Sequence, residues 1–198
     1  MSTFTIDTIS PTVSGGVAII SASGVQNSLL NAGDNVSVTA TFSESVIVDN
    51  ASGTPTLTLV VGSDNRTATY ASGSGSTPLV FQYTIQAGDN DTNGISIRAN
   101  ALALDNGTIK DPAGNNATLT HSAVSDNSSY KVDTTAPSVN SFTLSDTALK
   151  AGDTATVTLR FSEAVVSFSS AADITADNGT LATMTSADNV TWAGTFTP

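Results

Sequence analysis

The chain has no cysteine, so disulfides, thiolate metal sites and cysteine nucleophiles are excluded together. It has a single histidine, His121, which excludes clustered-histidine metal sites and leaves a Ser-His-Asp arrangement with one available base. Basic residues are scarce, six against 17 acidic, and the net charge is −11. That balance argues against nucleic acid or an anionic membrane surface as a partner, since both are held by Lys and Arg. Glutamate is scarce too: Glu44 and Glu163 stand against 15 aspartates. No apolar run approaches the ~20 residues of a membrane-spanning helix, so no membrane insertion is expected. Met1, Ser2 and Thr3 lead into a strand-like segment with neither a basic n-region nor an apolar h-region. No cleavable secretory signal is expected, and the chain reads as cytosolic or as an internal piece of a longer exported chain.

What is abundant is Thr (31), Ser (27), Asn (15) and Gly (15). These residues favour strands and turns over helices. A hydrophobic content of 39% over 198 residues is enough for a real core in one large or two small domains.

An internal repeat organises the chain. Residues 31–46 read NAGDNVSVTATFSESV and residues 150–165 read KAGDTATVTLRFSEAV, identical at nine of sixteen positions without a gap. Upstream of each lies a matching entry, DTISPTV from Asp7 and DTTAPSV from Asp133, 126 residues apart. The division is therefore a first domain over 1–132 and the start of a second copy over 133–198. The first copy carries seven extra residues around Ala22 to Leu30. Within the repeat Val36, Val38, Ala40 and Phe42 alternate with Ser and Thr, as do Ala155, Val157, Leu159 and Phe161 with Thr, Arg and Ser. Period two marks a strand with one buried and one wet face; AGD is the turn before it, and Ser-Glu ends it.

The same alternation predicts strands around Leu57 to Val61, Arg66 to Tyr70, Leu79 to Ile85, Ile95 and Ile97, Leu119 to Val124, and Tyr130 to Val132. Turn clusters such as GSDN at 62–65 and AGNN at 113–116 separate them. Short strands at this spacing predict an all-β antiparallel sandwich with Val38, Phe42, Leu59, Phe81, Tyr83 and Ile97 in its core. No ten-residue stretch has a helical period.

In order and spacing these motifs resemble the bacterial Ig-like repeats of large surface adhesins and biofilm-associated proteins of the type I secreted class. The residues that carry the resemblance are DTTAP at 133–137, FSEAV at 161–165, DIT at 173–175 with NGT at 178–180, and WAGTFTP at 192–198. In the first copy they are FSE at 42–44, YTIQAGDND at 83–91, NGISI at 93–97, DPAGN at 111–115 and YKVD at 130–133. The resemblance implies tandem Ig-like β-sandwiches, the second one incomplete because strands like those of residues 95–132 have no counterpart before Pro198. It further implies an extracellular rod on a bacterial cell surface, often stiffened by calcium. Export by a C-terminal signal would account for the missing leader and the missing cysteines.

In that fold alternate loops fall at opposite ends. Asp7, Glu44 and the loop carrying Asp111 and Asn115 are placed at the leading end. Asp89 and Asp91, in DNDTNG at 89–94, are placed at the trailing end with Asp133 and, across the junction, Glu163. Calcium takes six to eight oxygens, and these eight residues are the candidate ligands for Ca2+. Residues 89–94 match the first half of a calcium loop, but Asn100 at the twelfth position is not Glu and the flanks read as strands, so this is no EF-hand. An ordinary polar turn explains the same residues. Both glutamates occupy the same place in the repeat, which duplication alone explains and a bidentate ligand explains as well.

His121 reads as a strand residue, with no partner for catalysis. Trp192 and Phe196 read as core of the second copy. The leading functional reading is a non-enzymatic extender whose partners are the neighbouring repeats and a host or biofilm surface ligand. The alternative is a glycan- or protein-binding module using loops such as residues 22–30.

Overall fold

In the computed structural model, which describes residues 6–198, the chain divides into two compact units, Met1–Thr135 and Ala136–Pro198. The strand-like opening at Met1, Ser2 and Thr3 lies outside the described residues.

The first unit is built from β1 (Gly16–Ser23), β2 (Leu29–Leu30), β3 (Asn35–Asp49), β4 (Thr56–Val61), β5 (Asp64–Ser72), β6 (Ser76–Thr84), β7 (Asn90–Asp91), β8 (Ser96–Ala103), β9 (Thr108–Lys110) and β10 (Lys131–Asp133). Strands run in the order β1-β3-β6-β5-β4-β8, with β9 paired to β3, and β2-β10-β7 form a small separate sheet. The apolar members of β3 and β6 face those of β4 and β8 across one core, an antiparallel Ig-like β-sandwich. Val38, Phe42, Leu59, Phe81, Tyr83 and Ile97 are all buried in it. The extra residues before the AGD turn end β1, form a tight turn from Gln26 to Leu29, and add β2 beside β10.

Two expectations shift. The strand does not end at Ser-Glu: β3 continues to Asp49 through a register shift between Thr41 and Val46, leaving β6 and taking β9 as its new partner. The pull is apolar, since Val46 and Ile109 are both buried. Residues 119–124 are not a regular strand; they meet β8 at one β-bridge, Ile97 to Val124, and through hydrogen bonds between His121 and Asn100 and Ala101. His121 there is buried, its Nε2 accepting from Ala101 N–H and its Nδ1 facing the Ser122 carbonyl, each at 2.8 Å. Nε2 thus ties the last segment to β8, while Nδ1 is satisfied within the segment itself.

The second unit holds β11 (Val139–Leu144), β12 (Ala155–Phe161), a four-residue helix α1 (Ser170–Asp173), β13 (Thr180–Leu181) and β14 (Thr191–Thr197). They make one sheet, β11-β12-β14-β13. β12 repeats β3 and β14 takes the place of β6. Trp192 and Phe196 pack with Val157, Leu159 and Met184, as the sequence suggests. Gly194 between them is required, because a Cβ there would lie 2.8 Å from Met184 Cγ and 2.9 Å from the Ala182 carbonyl.

The repeat is repeated in its hydrogen bonds. In the first AGD turn Asp34 Oδ2 accepts from Asn31 N–H at 2.8 Å while Asp34 N–H donates to the Asn31 carbonyl at 3.0 Å. In the second, Asp153 and Lys150 do the same at 3.2 and 3.0 Å. Gly33 (φ 95°) and Gly152 (φ 90°) supply the left-handed residue that each turn needs.

Candidate metal centre

At the leading end of the first unit, three carboxylates from distant parts of the chain converge. Asp7 comes from the entry segment, Glu44 from the register shift in β3, and Asp111 from the loop after β9. One oxygen of each lies within 4.8 Å of the others. Among the described residues no other group of three metal-ligating side chains comes this close.

Each arm is held locally. Asp7 Oδ1 accepts from Ile9 N–H at 3.0 Å, an Asx turn that fixes the start of the entry segment. The entry segment is tied to β3 because Thr12 N–H donates to Ser43 Oγ at 3.1 Å and Ser43 N–H donates to the Thr12 carbonyl at 2.8 Å. Pro11 is buried, and its carbonyl accepts from Thr118 N–H at 2.7 Å. Asp111 is buried, and its Oδ1 accepts from Asn115 N–H at 2.8 Å while its Oδ2 accepts from Asn115 Nδ2 at 2.7 Å. Asn115 Nδ2 also reaches the Asp7 carbonyl at 3.1 Å and the Ile9 carbonyl at 3.4 Å. The Asn115 amide therefore sits among oxygens of the entry segment and the loop.

The electrostatics follow from this packing. Burial, then the charges of Asp7 and Asp111, push the Glu44 carboxyl above its ordinary range. For Asp111 burial acts upward, but hydrogen bonds from the Asn115 side chain and from backbone N–H groups of the loop outweigh it and hold the carboxyl below its ordinary range. Asp111 thus stays ionised and Glu44 resists ionising beside it. The converging atoms are all carboxylate oxygens, one each from Asp7, Glu44 and Asp111. An all-oxygen set suits a hard cation such as calcium better than zinc, whose sites usually include histidine or cysteine.

The trailing-end residues are arranged differently. Asp89 and Asp91 are almost fully buried. Asp89 Oδ1 accepts from Arg66 Nε, and its Oδ2 accepts from the Tyr83 hydroxyl and from Gln86 N–H. Asp91 Oδ2 accepts from Gly62 N–H at 2.8 Å; its Oδ1 accepts from Gly94 N–H at 2.7 Å and Asn93 N–H at 3.2 Å. These carboxylates turn inward and organise a buried polar turn, the alternative that the sequence offered beside the half-loop match. The sequence match identified the turn but not its direction, because a carboxylate that caps backbone N–H groups and one that binds calcium use the same Asp-Asn-Gly spacing.

Asp133 lies beside the loop, paired with Asn90 in the small sheet. What fastens it there is Asn90 and Thr134, which sequence reasoning missed: Thr134 N–H donates to Asn90 Oδ1 at 3.0 Å, and Thr134 Oγ1 donates to the Asp89 carbonyl at 2.9 Å. Asp133 Oδ1 accepts from Thr135 N–H at 2.9 Å, repeating the Asx turn of Asp7. Glu163 belongs to the second unit. Ser43 was also missed; its signal was present in the repeated FSE motif, where Ser162 recurs.

Residues 133–198 match a family model described as a bacterial Ig-like domain. No curated protein and no solved structure matches the chain. Among the described residues no helix is long and apolar enough to cross a membrane.

Proposed function

We propose that this chain is a non-enzymatic extender of a bacterial cell-surface adhesin, an array of Ig-like repeats stiffened by calcium at the repeat ends and exposed outside the cell. The observation that carries the reading is the convergence of Asp7, Glu44 and Asp111. The three sit where the chain enters a repeat, so a cation there would tie the entry segment to both β3 and the loop after β9. The carboxylates of Asp7, Glu44 and Asp111 would hold it, with Asn115 positioning Asp111 beside them. Without a cation, three carboxylates this close repel one another and loosen the entry; a charge of +2 turns that repulsion into a clamp.

The bacterial Ig-like match over residues 133–198 supports a structural or binding module. The repeated turns and strand clamps in the two units support a tandem array. The test is a thermal melt with calcium and then with chelator, alongside metal analysis of the purified chain. Calcium should raise the melting temperature of the first unit, because a ligand that binds only the folded state stabilises it by mass action. Unchanged melts together with no bound calcium would reduce the site to a solvated acidic corner.

A further inference from the structure

We propose that His121 is a proton-released latch: while neutral it pins residues 119–124 of the first unit to β8, and a proton taken up from mildly acidic surroundings frees them. The inference does not depend on calcium. It rests on which ring nitrogen can carry a proton in the closed form.

A backbone N–H only donates and a backbone carbonyl only accepts. Ala101 N–H points at His121 Nε2 at 2.8 Å, so Nε2 presents a lone pair there and carries no proton. Nδ1 stands 2.8 Å from the Ser122 carbonyl, so the ring's proton is on Nδ1. The closed form therefore admits one species of the ring, the neutral Nδ1–H tautomer. A second proton has to enter at Nε2, on the lone pair that Ala101 occupies. It sets one N–H against another, and the ring has to leave β8 to accept it. That proton comes from solvent, and no bond between heavier atoms is made or broken. The ring is buried, but it borders an open hollow of ≈ 380 Å³, which gives solvent a route to it.

Among the described residues, nothing around the hollow offsets a charge on the ring. Val13, Ser14 and Gly16 border it from the entry side, Asn100 from β8, and Thr120 and Ser122 from the segment itself; none is charged or titratable. Arg98, the one charge on β8, is exposed, and Asp126 lies beyond Val124; neither borders the hollow. The rest of the attachment is light. Asn100 Oδ1 accepts from His121 N–H at 3.0 Å, and Asn100 N–H donates to the His121 carbonyl at 3.2 Å. Ile97 and Val124 exchange two more bonds, at 2.9 and 2.8 Å. Leu119 and Val124 are only partly buried against the core. Freeing residues 119–124 leaves the buried pairing of β3 with β6 in place, so the opening is local. The open form binds a proton that the closed form cannot. The closed form is thus fully stable above the range in which histidine titrates and weakens as pH falls through it, the opening equilibrium rising by up to about tenfold per pH unit.

The experiment follows amide hydrogen exchange of the full 198-residue chain by NMR, from about pH 8 down to about pH 5. Chelator is present throughout, and each rate is corrected for its intrinsic dependence on pH. In the parent, protection at Ala101 and Val124 should fall by up to about tenfold per pH unit at the acidic end. Protection at Val38 and Phe81, which face each other across β3 and β6, should stay level. His121→Gln keeps a carbonyl oxygen for the Ala101 N–H but takes up no proton, so its Ala101 protection should be indifferent to pH. His121→Leu neither accepts nor titrates, and should lower that protection equally at every pH. The ring nitrogen shifts need no variant: at neutral pH they should report the Nδ1–H tautomer. An Nε2–H tautomer there would overturn the proposal. So would Ala101 protection in the parent that ignores pH, the same slope in His121→Gln, or a loss at Val38 and Phe81 in step with Ala101, which would make the acid response that of the whole unit.

Discussion

Thr12 and Ser43 hold each other twice, through the Ser43 hydroxyl at 3.1 Å and through the Thr12 carbonyl at 2.8 Å. Ser138 and Ser162 do the same in the second unit, at 2.9 and 2.7 Å. This pair explains why FSE recurs as a block. Phe42 enters the core, Ser43 fastens the entry segment, and Glu44 is thereby set beside Asp7. The fold's first joint and the candidate cation site are the same piece of structure.

Removing the hydroxyl should loosen both. Ser43→Ala deprives the Thr12 N–H of its acceptor and should cost about 1 kcal/mol, the usual net worth of one such hydrogen bond. The check is a urea melt followed in the far ultraviolet. Phe42→Ala on the same turn of strand should cost more, ~3–5 kcal/mol, because it empties a site in a close-packed core.

Glu44→Gln should have opposite effects with and without calcium. Burial, then Asp7 and Asp111, raise the Glu44 carboxyl above its ordinary 4.5 in the folded chain. The folded state therefore holds that proton more tightly than the unfolded state does. Ionised Glu44 costs stability at neutral pH, and the cost fades as pH falls through the raised value. In chelator the variant should melt higher than the parent at neutral pH, and the two should converge on acidification. In calcium the order should reverse, since the parent gains a ligand that the variant lacks. A variant that melts alike in both conditions, and like the parent, would remove Glu44 from the site.

Much of this was legible in the sequence, and the parts that were not share a cause. The strand alternation named the core residues, because period two is imposed by the pleat itself. The AGD and FSE blocks were found as identities, and the fold-level argument placed Asp7, Glu44 and Asp111 at one end, where the structure brings them together. The inward turn of Asp89 and Asp91 was not legible. It depends on Arg66 of β5 and Tyr83 of β6 arriving from other strands, and no local pattern announces those partners. The continuation of β3 beyond Glu44 was hidden likewise, since its new partner β9 lies some sixty residues on.

The Asp89 turn gives a prediction at the alkaline end. Burial first, then the Asp89 hydrogen bond and charge, push the Tyr83 hydroxyl up to about 12. Between its ordinary 10 and that value the unfolded chain has lost a proton that the folded chain keeps. Stability conferred by the neutral phenol is therefore complete below pH 10 and falls as pH rises towards 12. Tyr83→Phe should be less stable at neutral pH, and its stability should fall less steeply across that window. Asp89→Ala should be worse at neutral pH, by roughly 2–3 kcal/mol. That is below the 3–5 of a fully buried pair, because Arg66 is 30% exposed and keeps some water.

The two units should unfold at different denaturant concentrations, the second first. Its buried apolar side chains are few, with Val157, Leu159 and Met184 at the centre and six partly buried neighbours around them. The first unit's core draws on both layers of a closed sandwich. A unit of this size with one sheet face open buries a small share of its unfolded surface, and stability tracks that share closely. The probes separate without labelling: Trp192 reports the second unit alone, while far-ultraviolet dichroism is dominated by the strands of the first. Trp192 emission should move to the red at lower urea than the main loss of strand signal, with a shallower slope, since the slope scales with surface exposed on unfolding. Phe161→Ala should shift only the Trp192 transition and Phe42→Ala only the later one. Coincident transitions by both probes, shifted together by either variant, would mean that the second unit's stability is not its own.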